Sequence, residues 1–245
     1  MHQNWLISLS ALLLLLLSAC NPNLDDFDCT GRDVFPTSTQ IDEATSRAIA
    51  DRVCDCLNRE TVPGIQITVI DSLGEIWTLS TGSADRKRTT PIQDDQQLRL
   101  ASITKTYTAA LTYRLQEEGL LSLQDPIANW FPEYEEGQRI TVAQLLDHSS
   151  GIMDLLALPD LLLTSTMNSN KVWEPRAITE AIFPKSLQFD PGTDHRYSNT
   201  NYLLLGLIAE EITGQDLGQC FRQYLTDPLG LQNHSFQPVD EVPTN

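Results

Sequence analysis

Two short segments of this chain carry residues able to do nucleophilic chemistry: Ser102-Ile103-Thr104-Lys105 and Tyr197-Ser198-Asn199. A serine hydroxyl is a weak nucleophile at neutral pH. It needs a nearby base and donors for the oxyanion that develops. A lysine three residues further along a helix lies on the same face, one turn on. Partly buried, such a lysine holds its proton less tightly and can accept the seryl proton. A serine at the start of a helix also has a backbone N–H without an intrahelical partner, which is free to face an oxyanion. Either segment alone arises by chance in a chain of this size. Their order and their surroundings carry the weight.

The elements that must hold these residues can be read from periodicity. Residues 39–59 place Ile41, Ala44, Ala48, Val53 and Leu57 at near-helical spacing. Pro63-Gly64 breaks that helix. Ile65, Ile67 and Val69 alternate with polar residues as in a strand, and Ile76 to Leu79 form a second one. The turn at 71–74 joins them as an antiparallel hairpin. Residues 102–118 read as a helix ended by Gly119. Asp125-Pro126 opens a short helix, and Thr141 caps another that runs to about Asp147. Residues 200–212 are strongly apolar and helical, closed by Gly214, and a last helix spans 215–226. An early hairpin followed by many helices gives an α+β protein whose sheet is incomplete.

In these surroundings the sequence resembles the class C beta-lactamase and D-alanyl-D-alanine carboxypeptidase family, which includes related esterases. The resemblance rests on Pro63-Gly64-Ile65, Gly82-Ser83-Ala84-Asp85 and the stretch from Leu100 through Ser102 and Lys105 to Ala109. It continues in Glu118-Gly119-Leu120 to Asp125-Pro126, in Leu145-Leu146-Asp147-His148-Ser149-Ser150-Gly151-Ile152, and in Pro191-Gly192. Tyr197-Ser198-Asn199-Thr200-Asn201-Tyr202 and Pro228-Leu229-Gly230-Leu231 close the series. It covers about residues 60–235 and implies the beta-lactamase/transpeptidase-like fold, an antiparallel sheet flanked by helices plus a helical region. It implies that Ser102 is acylated, that Lys105 and Tyr197 share the proton transfers, and that Asn199 holds the substrate amide. The substrate would be a peptidoglycan D-Ala peptide, a beta-lactam or a small ester, and no cofactor or metal is implied. His148 to Gly151 reads as structural, a helix end with Gly151 at its C-cap and His148 packed. A triad built from Asp194 and His195 fits the family poorly.

The family's third motif, Lys or His followed by Ser or Thr and then Gly, is not found. No lysine follows Asn199, and His234-Ser235 leads to Phe236. The strand bearing that motif and the second oxyanion amide is therefore expected to be missing from this chain. The 245 residues alone are expected to fold poorly and to turn nothing over. The rival reading is a non-catalytic envelope lipoprotein that keeps the scaffold as a binding or structural module.

Lys plus Arg total 16 and Asp plus Glu 33, a formal net charge of −17. Such a surface repels nucleic acid and anionic lipid alike, so membrane attachment needs another device. Residues 5–19 form an uncharged apolar run, too short to span a bilayer comfortably but of signal-peptide length. It ends in Leu17-Ser18-Ala19-Cys20, which resembles a bacterial lipobox. The expectation is a signal peptide over 1–19, a lipid on Cys20, a polar tether over 20–37 and a hydrolase domain over 38–245. Asn21 after the cysteine leans the location to the outer membrane. Export favours disulfides, and Cys29 is expected to pair with Cys54 or Cys56. Small molecules or peptides are the expected partners besides the membrane.

Overall fold

The computed structural model describes residues 43–59, 62–70, 72–74, 76–159 and 173–236. The signal-like run, Cys20 and Cys29 lie outside these residues. The chain divides into two compact units, Met1–Gln96 and Gln97–Asn245.

The described residues of the first unit hold one helix and one hairpin. Helix α1 (Glu43–Arg59) precedes strands β1 (Gly64–Ile70) and β2 (Ile76–Gly82), which pair antiparallel. The register sets Ile65 opposite Thr81, Ile67 opposite Leu79 and Val69 opposite Trp77. Cross-strand partners share a face, so the period-2 pattern gathers its apolar set on one side. Val53 and Leu57 of α1 meet Trp77 and Leu79 there, with Ile65, Ile67 and Val69 packed around them. Each fully buried side chain of this size stabilises by roughly 1.5–3 kcal/mol. At the hairpin's open end Gly64 faces Gly82, and a Cβ on Gly64 would stand 2.3 Å from the Ser83 carbonyl oxygen. The loop that follows is tied by Asp85, whose carboxylate accepts from Thr89 N, Thr89 Oγ1 and Thr90 N. Desolvation pushes the Asp85 carboxyl up, but these bonds outweigh it and hold it at about 2. Cys54 is disulfide-bonded; the pairing expected for Cys29 lies outside the described residues.

The second unit is helical. A 3-10 turn (Ala101–Ile103) leads into α2 (Thr104–Glu117), followed by α3 (Val142–Leu146), α4 (Pro175–Ile182), α5 (Asn199–Thr213) and α6 (Leu217–Phe221). Helix α5 is the hub, and α2, α3, α4 and α6 all pack against it. Its run from Leu204 to Ala209 is buried on every side, as expected of a helix that is apolar all round. Gly206 makes room for α6: a Cβ there would meet Leu217 at 3.1 Å. Leu111 and Leu115, four apart on α2, join Leu145, Leu204, Leu205 and Ile208 in one core with Ile127, Phe131 and Ile140.

Three elements differ from the sequence reading. The final helix reaches Thr226 as expected, but its last turn, Arg222–Thr226, is a π turn. Helix α4 was not foreseen, although Pro175 at its start and buried Ile178 and Ile182 four apart are its signature. The third concerns the region around His148, described below. Cys220 is buried with a free thiol beside Thr213 Oγ1, at 3.1 Å.

Candidate active site

The helical unit brings the two chemistry-bearing segments together across 95 residues of sequence, with Tyr197 Oη donating to Ser102 Oγ at 3.0 Å. Ser102 sits in the 3-10 turn at the head of α2, and Ile103 N closes that turn on the Leu100 carbonyl at 2.9 Å. Ala101, just before it, takes φ +45°, a conformation that costs a non-glycine residue about 1–3 kcal/mol. The strain presents Ser102 at an exposed corner, and α2 brings Lys105 round beneath it. Lys105 Nζ stands 3.5 Å from Ser102 Oγ and donates to Asn199 Oδ1 at 2.8 Å. It also lies over the Tyr197 ring, 4.9 Å from its centroid, close enough for a cation–π attraction. Tyr197 Oη is 3.4 Å from Asn199 Oδ1. Ser102, Lys105, Tyr197 and Asn199, the four residues singled out from sequence, therefore form one contiguous group.

The Tyr197 phenol is pulled below its ordinary value of 10.0, first by its bond with Lys105 and then by that with Ser102. A neighbouring cation favours the phenolate. His148 is held below the ordinary imidazole value by burial, with His195 and Lys105 adding to the effect.

What aims Tyr197 and Asn199 is the segment 147–154. Ser198 opens α5 without a side-chain cap of its own. The first helix N–H groups must be satisfied from elsewhere, and this segment supplies the acceptors. Ser198 N donates to His148 Nδ1 at 3.2 Å and Asn199 N to Asp154 Oδ2 at 3.1 Å. Ser198 Oγ and Thr200 Oγ1 both donate to the Met153 carbonyl, at 3.2 and 2.7 Å. Ser150 Oγ donates to Asn201 Oδ1 at 2.8 Å. The segment is itself hydrogen-bonded to the chain approaching Tyr197: Gln188 N donates to the Gly151 carbonyl, Gly192 N to that of Ser149 and Arg196 N to that of His148.

The reading of His148 to Gly151 as structural matches this geometry, with one correction. Helix α3 ends at Leu146, Asp147 is its C-cap, and His148 rather than Gly151 takes the left-handed turn, at φ +63°. Gly151, φ +77°, is required by close approach instead: a Cβ there would lie 2.2 Å from the Phe189 carbonyl oxygen. His195 lies against the His148 ring, centroids 6.0 Å apart, and Ser102 takes its donor from Tyr197. Asp154 was missed from sequence. An aspartate between apolar neighbours in a short loop gives no signal of its own.

The sequence matches the Beta-lactamase family over residues 49–244. It is 29% identical over 219 residues to Esterase EstB of Burkholderia gladioli, covering 84% of this chain and 56% of that protein. Among solved structures it resembles a D-stereospecific amidohydrolase from Streptomyces sp., with TM-score 0.62 and 31% identity, covering 69% of this chain and 50% of the other. It also resembles an octameric penicillin-binding protein homologue from Pyrococcus abyssi, with TM-score 0.66 and 28% identity, covering 75% of this chain and 43% of the other. The chain thus spans about half the length of the relatives it matches. Its fold is the beta-lactamase and penicillin-binding-protein type, helices with an antiparallel sheet, and the chain belongs to the beta-lactamase family.

Proposed function

We propose that this protein is a serine hydrolase working through an acyl-enzyme on an amide or ester, with Ser102 as nucleophile. The observation that carries the reading is the contact set around Ser102 Oγ: Tyr197 Oη at 3.0 Å and Lys105 Nζ at 3.5 Å. In the ground state Tyr197 donates to the serine. Once Tyr197 is a phenolate, held by Lys105, the same contact runs the other way and draws the seryl proton. Ser102 Oγ then bonds to the substrate carbonyl carbon, and the tetrahedral intermediate expels an amine or alcohol that takes the proton back. Water later cleaves the ester on Ser102 by the reverse relay. Asn199 keeps one Nδ2 hydrogen on Asp154 and has a second to offer a substrate carbonyl.

The similar proteins include an esterase and a D-stereospecific amidohydrolase. They support a small ester or a D-configured amide as the substrate class, and the family resemblance adds a peptidoglycan D-Ala peptide or a beta-lactam. No cofactor enters this scheme. We propose further, on the lipobox-like Leu17-Ser18-Ala19-Cys20 alone, that a lipid on Cys20 holds the protein in the cell envelope, with a lean to the periplasmic face of the outer membrane. Replacing Cys20 with Ser should release it from the membrane fraction.

The test is covalent labelling of the full-length protein. A fluorophosphonate or a penicillin should add one adduct mass to the peptide that carries Ser102, and Ser102→Ala should abolish it. Hydrolysis of p-nitrophenyl acetate, nitrocefin and a D-Ala-D-Ala peptide then ranks the substrate classes. Equal labelling of the wild type and Ser102→Ala would remove the reading.

A further inference from the structure

Asn199 stands between two opposite charges. Its carboxamide oxygen accepts from the Lys105 ammonium at 2.8 Å, while its Nδ2 donates to Asp154 Oδ2 at 2.9 Å. The same Asp154 oxygen accepts the Asn199 backbone N–H at 3.1 Å. Asp154 is anchored in turn, its Oδ1 accepting from Leu156 N at 2.7 Å across the turn it caps. A carboxamide can flip, exchanging its oxygen and nitrogen. Here a flip would set the amide oxygen against the carboxylate and the NH2 group against the ammonium. Both ends therefore impose one orientation.

We propose that Asp154 is a positioning residue: its carboxylate locks the orientation of the Asn199 carboxamide, and through it the place of the Lys105 ammonium beside Ser102 and Tyr197. The proposal rests on the acyl-enzyme reading above for its catalytic consequence. Asp154 acts through Asn199 and has no contact with Ser102. Its carboxylate is also the counter-charge behind the cation, in the order Lys105, Asn199, Asp154. Removing it frees the amide to rotate and lets the ammonium drift from Ser102. Misplacing a reacting group by about 1 Å can cost on the order of 10²-fold in rate.

The carboxylate also leaves a mark on its neighbours that does not need turnover. Its charge pushes the phenol of Tyr197 and the imidazole of His148 up, against the pull of Lys105 on both and of His195 on His148. Asp147 pushes His148 up as well. Where the lock is kept, as in Asp154→Asn, removing the charge should lower both groups whether or not the enzyme is active; where the ammonium drifts away, as in Asp154→Ala, its lowering pull on the phenol is lost as well.

Three variants of the full-length protein separate these effects. Asp154→Asn keeps an acceptor oxygen without the charge, Asp154→Ala removes both, and Ser102→Ala controls for the chemistry. The labelling rate of Ser102 by a fluorophosphonate should fall roughly 10-fold to 10²-fold in Asp154→Ala and recover most of that loss in Asp154→Asn. NMR titration with 13Cζ-tyrosine should show the Tyr197 phenol moved to lower pH in Asp154→Asn, even where labelling is nearly restored. Wild-type labelling rates in Asp154→Ala together with an unmoved Tyr197 titration would overturn the proposal. If the wild type does not label at Ser102 at all, the acyl-enzyme reading fails. The Asn199 side-chain amide then decides the lock by itself: a hydrogen-bonded Nδ2 proton signal in the wild type that is lost in Asp154→Ala keeps it, and unchanged signals remove it. Should Asp154→Ala fail to fold, Asp154→Asn and its titration still decide the case.

Discussion

The two segments that meet at Ser102 reach it by opposite routes. Ser102 and Lys105 are arranged by their own backbone: one helical turn separates them, and strained Ala101 sets the corner. Tyr197 and Asn199 are arranged from outside. The N–H and hydroxyl of Ser198 between them rest on His148 and Met153, the Asn199 N–H rests on Asp154, and the Tyr197 ring lies against that of His148, some 45 to 50 residues earlier in the chain. Left-handed strain marks both routes, at Ala101 on the first and at His148 on the second, and among the described residues only Arg88 shares it outside glycine. The contrast teaches that a local pair depends on the integrity of one turn, while a remote pair depends on a scaffold that makes no contact with the nucleophile.

Direct attack on the group gives the largest effects. Lys105→Ala and Tyr197→Phe should each slow acylation of Ser102 by about 10² to 10⁴, the usual worth of a general acid–base group. The second-order rate of fluorophosphonate labelling measures both. The double variant should lose little more than the worse single one, because the two residues act as a unit on one proton. Additive losses would show that they serve Ser102 independently.

This contrast also explains what could be read from sequence. Ser102 and Lys105 were legible because their geometry is a spacing, and the capped start of α3 at Thr141 was legible for the same reason. The hairpin was legible because alternation at 65–69 has one physical meaning. Tyr197 and Asn199 were legible only through resemblance, since no local rule joins them to a serine 95 residues away. Asp154 and the left-handed turn at His148 were not legible. Both arise from contacts between 147–154, 188–196 and the head of α5, which no single-segment pattern encodes. The end of the last helix at Thr226 was legible, but the π character of its final turn was not, because the apolar spacing runs through it unchanged.

Attack on the scaffold comes next. Gly151→Ala places a methyl 2.2 Å from the Phe189 carbonyl at φ +77°, so backbone must move. It should destabilise by about 3 kcal/mol, seen as a lower urea midpoint at constant m-value. It should also slow labelling of the folded fraction, since the displaced segment carries His148 and Asp154. A lowered urea midpoint with normal labelling would break the claim that this segment aims Tyr197.

His148→Phe keeps a ring against Tyr197 and Tyr202, whose centroids lie 4.6 and 5.2 Å away, but removes the acceptor of Ser198 N–H. An unpaired donor of this kind costs about 1–3 kcal/mol. The pH dependence has a defined sign. In the folded protein His148 is depressed below its ordinary 6.5 by burial, His195 and Lys105, so the unfolded chain binds more protons. The stabilisation is complete above pH 6.5 and is lost as pH falls through the lowered folded value. Urea midpoints across that range should slope in the wild type and lose that slope in His148→Phe. Parallel slopes would assign the acid sensitivity to another group.

The smallest effect tests where the scaffold takes its own orientation. Helix α3 is five residues long, too short to persist without help. Its capping box supplies some: Thr141 Oγ1 accepts from Gln144 N at 3.3 Å, and Gln144 Oε1 accepts from Thr141 N at 3.0 Å. Thr141→Ala removes the Oγ1 half, leaves Gln144 Oε1 on the backbone N–H of residue 141, and should cost about 1 kcal/mol. The backbone bonds that hold α3 in place remain, Ile127 N to the Ile140 carbonyl and Val142 N to that of Asp125, as do fully buried Val142 and Leu145. Segment 147–154 keeps its three backbone bonds to 188–196, so labelling of Ser102 should stay at the wild-type rate while the urea midpoint drops slightly. If labelling instead falls as far as in Gly151→Ala, the segment is oriented by the helix that precedes it, and its pairing with the approach to Tyr197 is a consequence of that orientation.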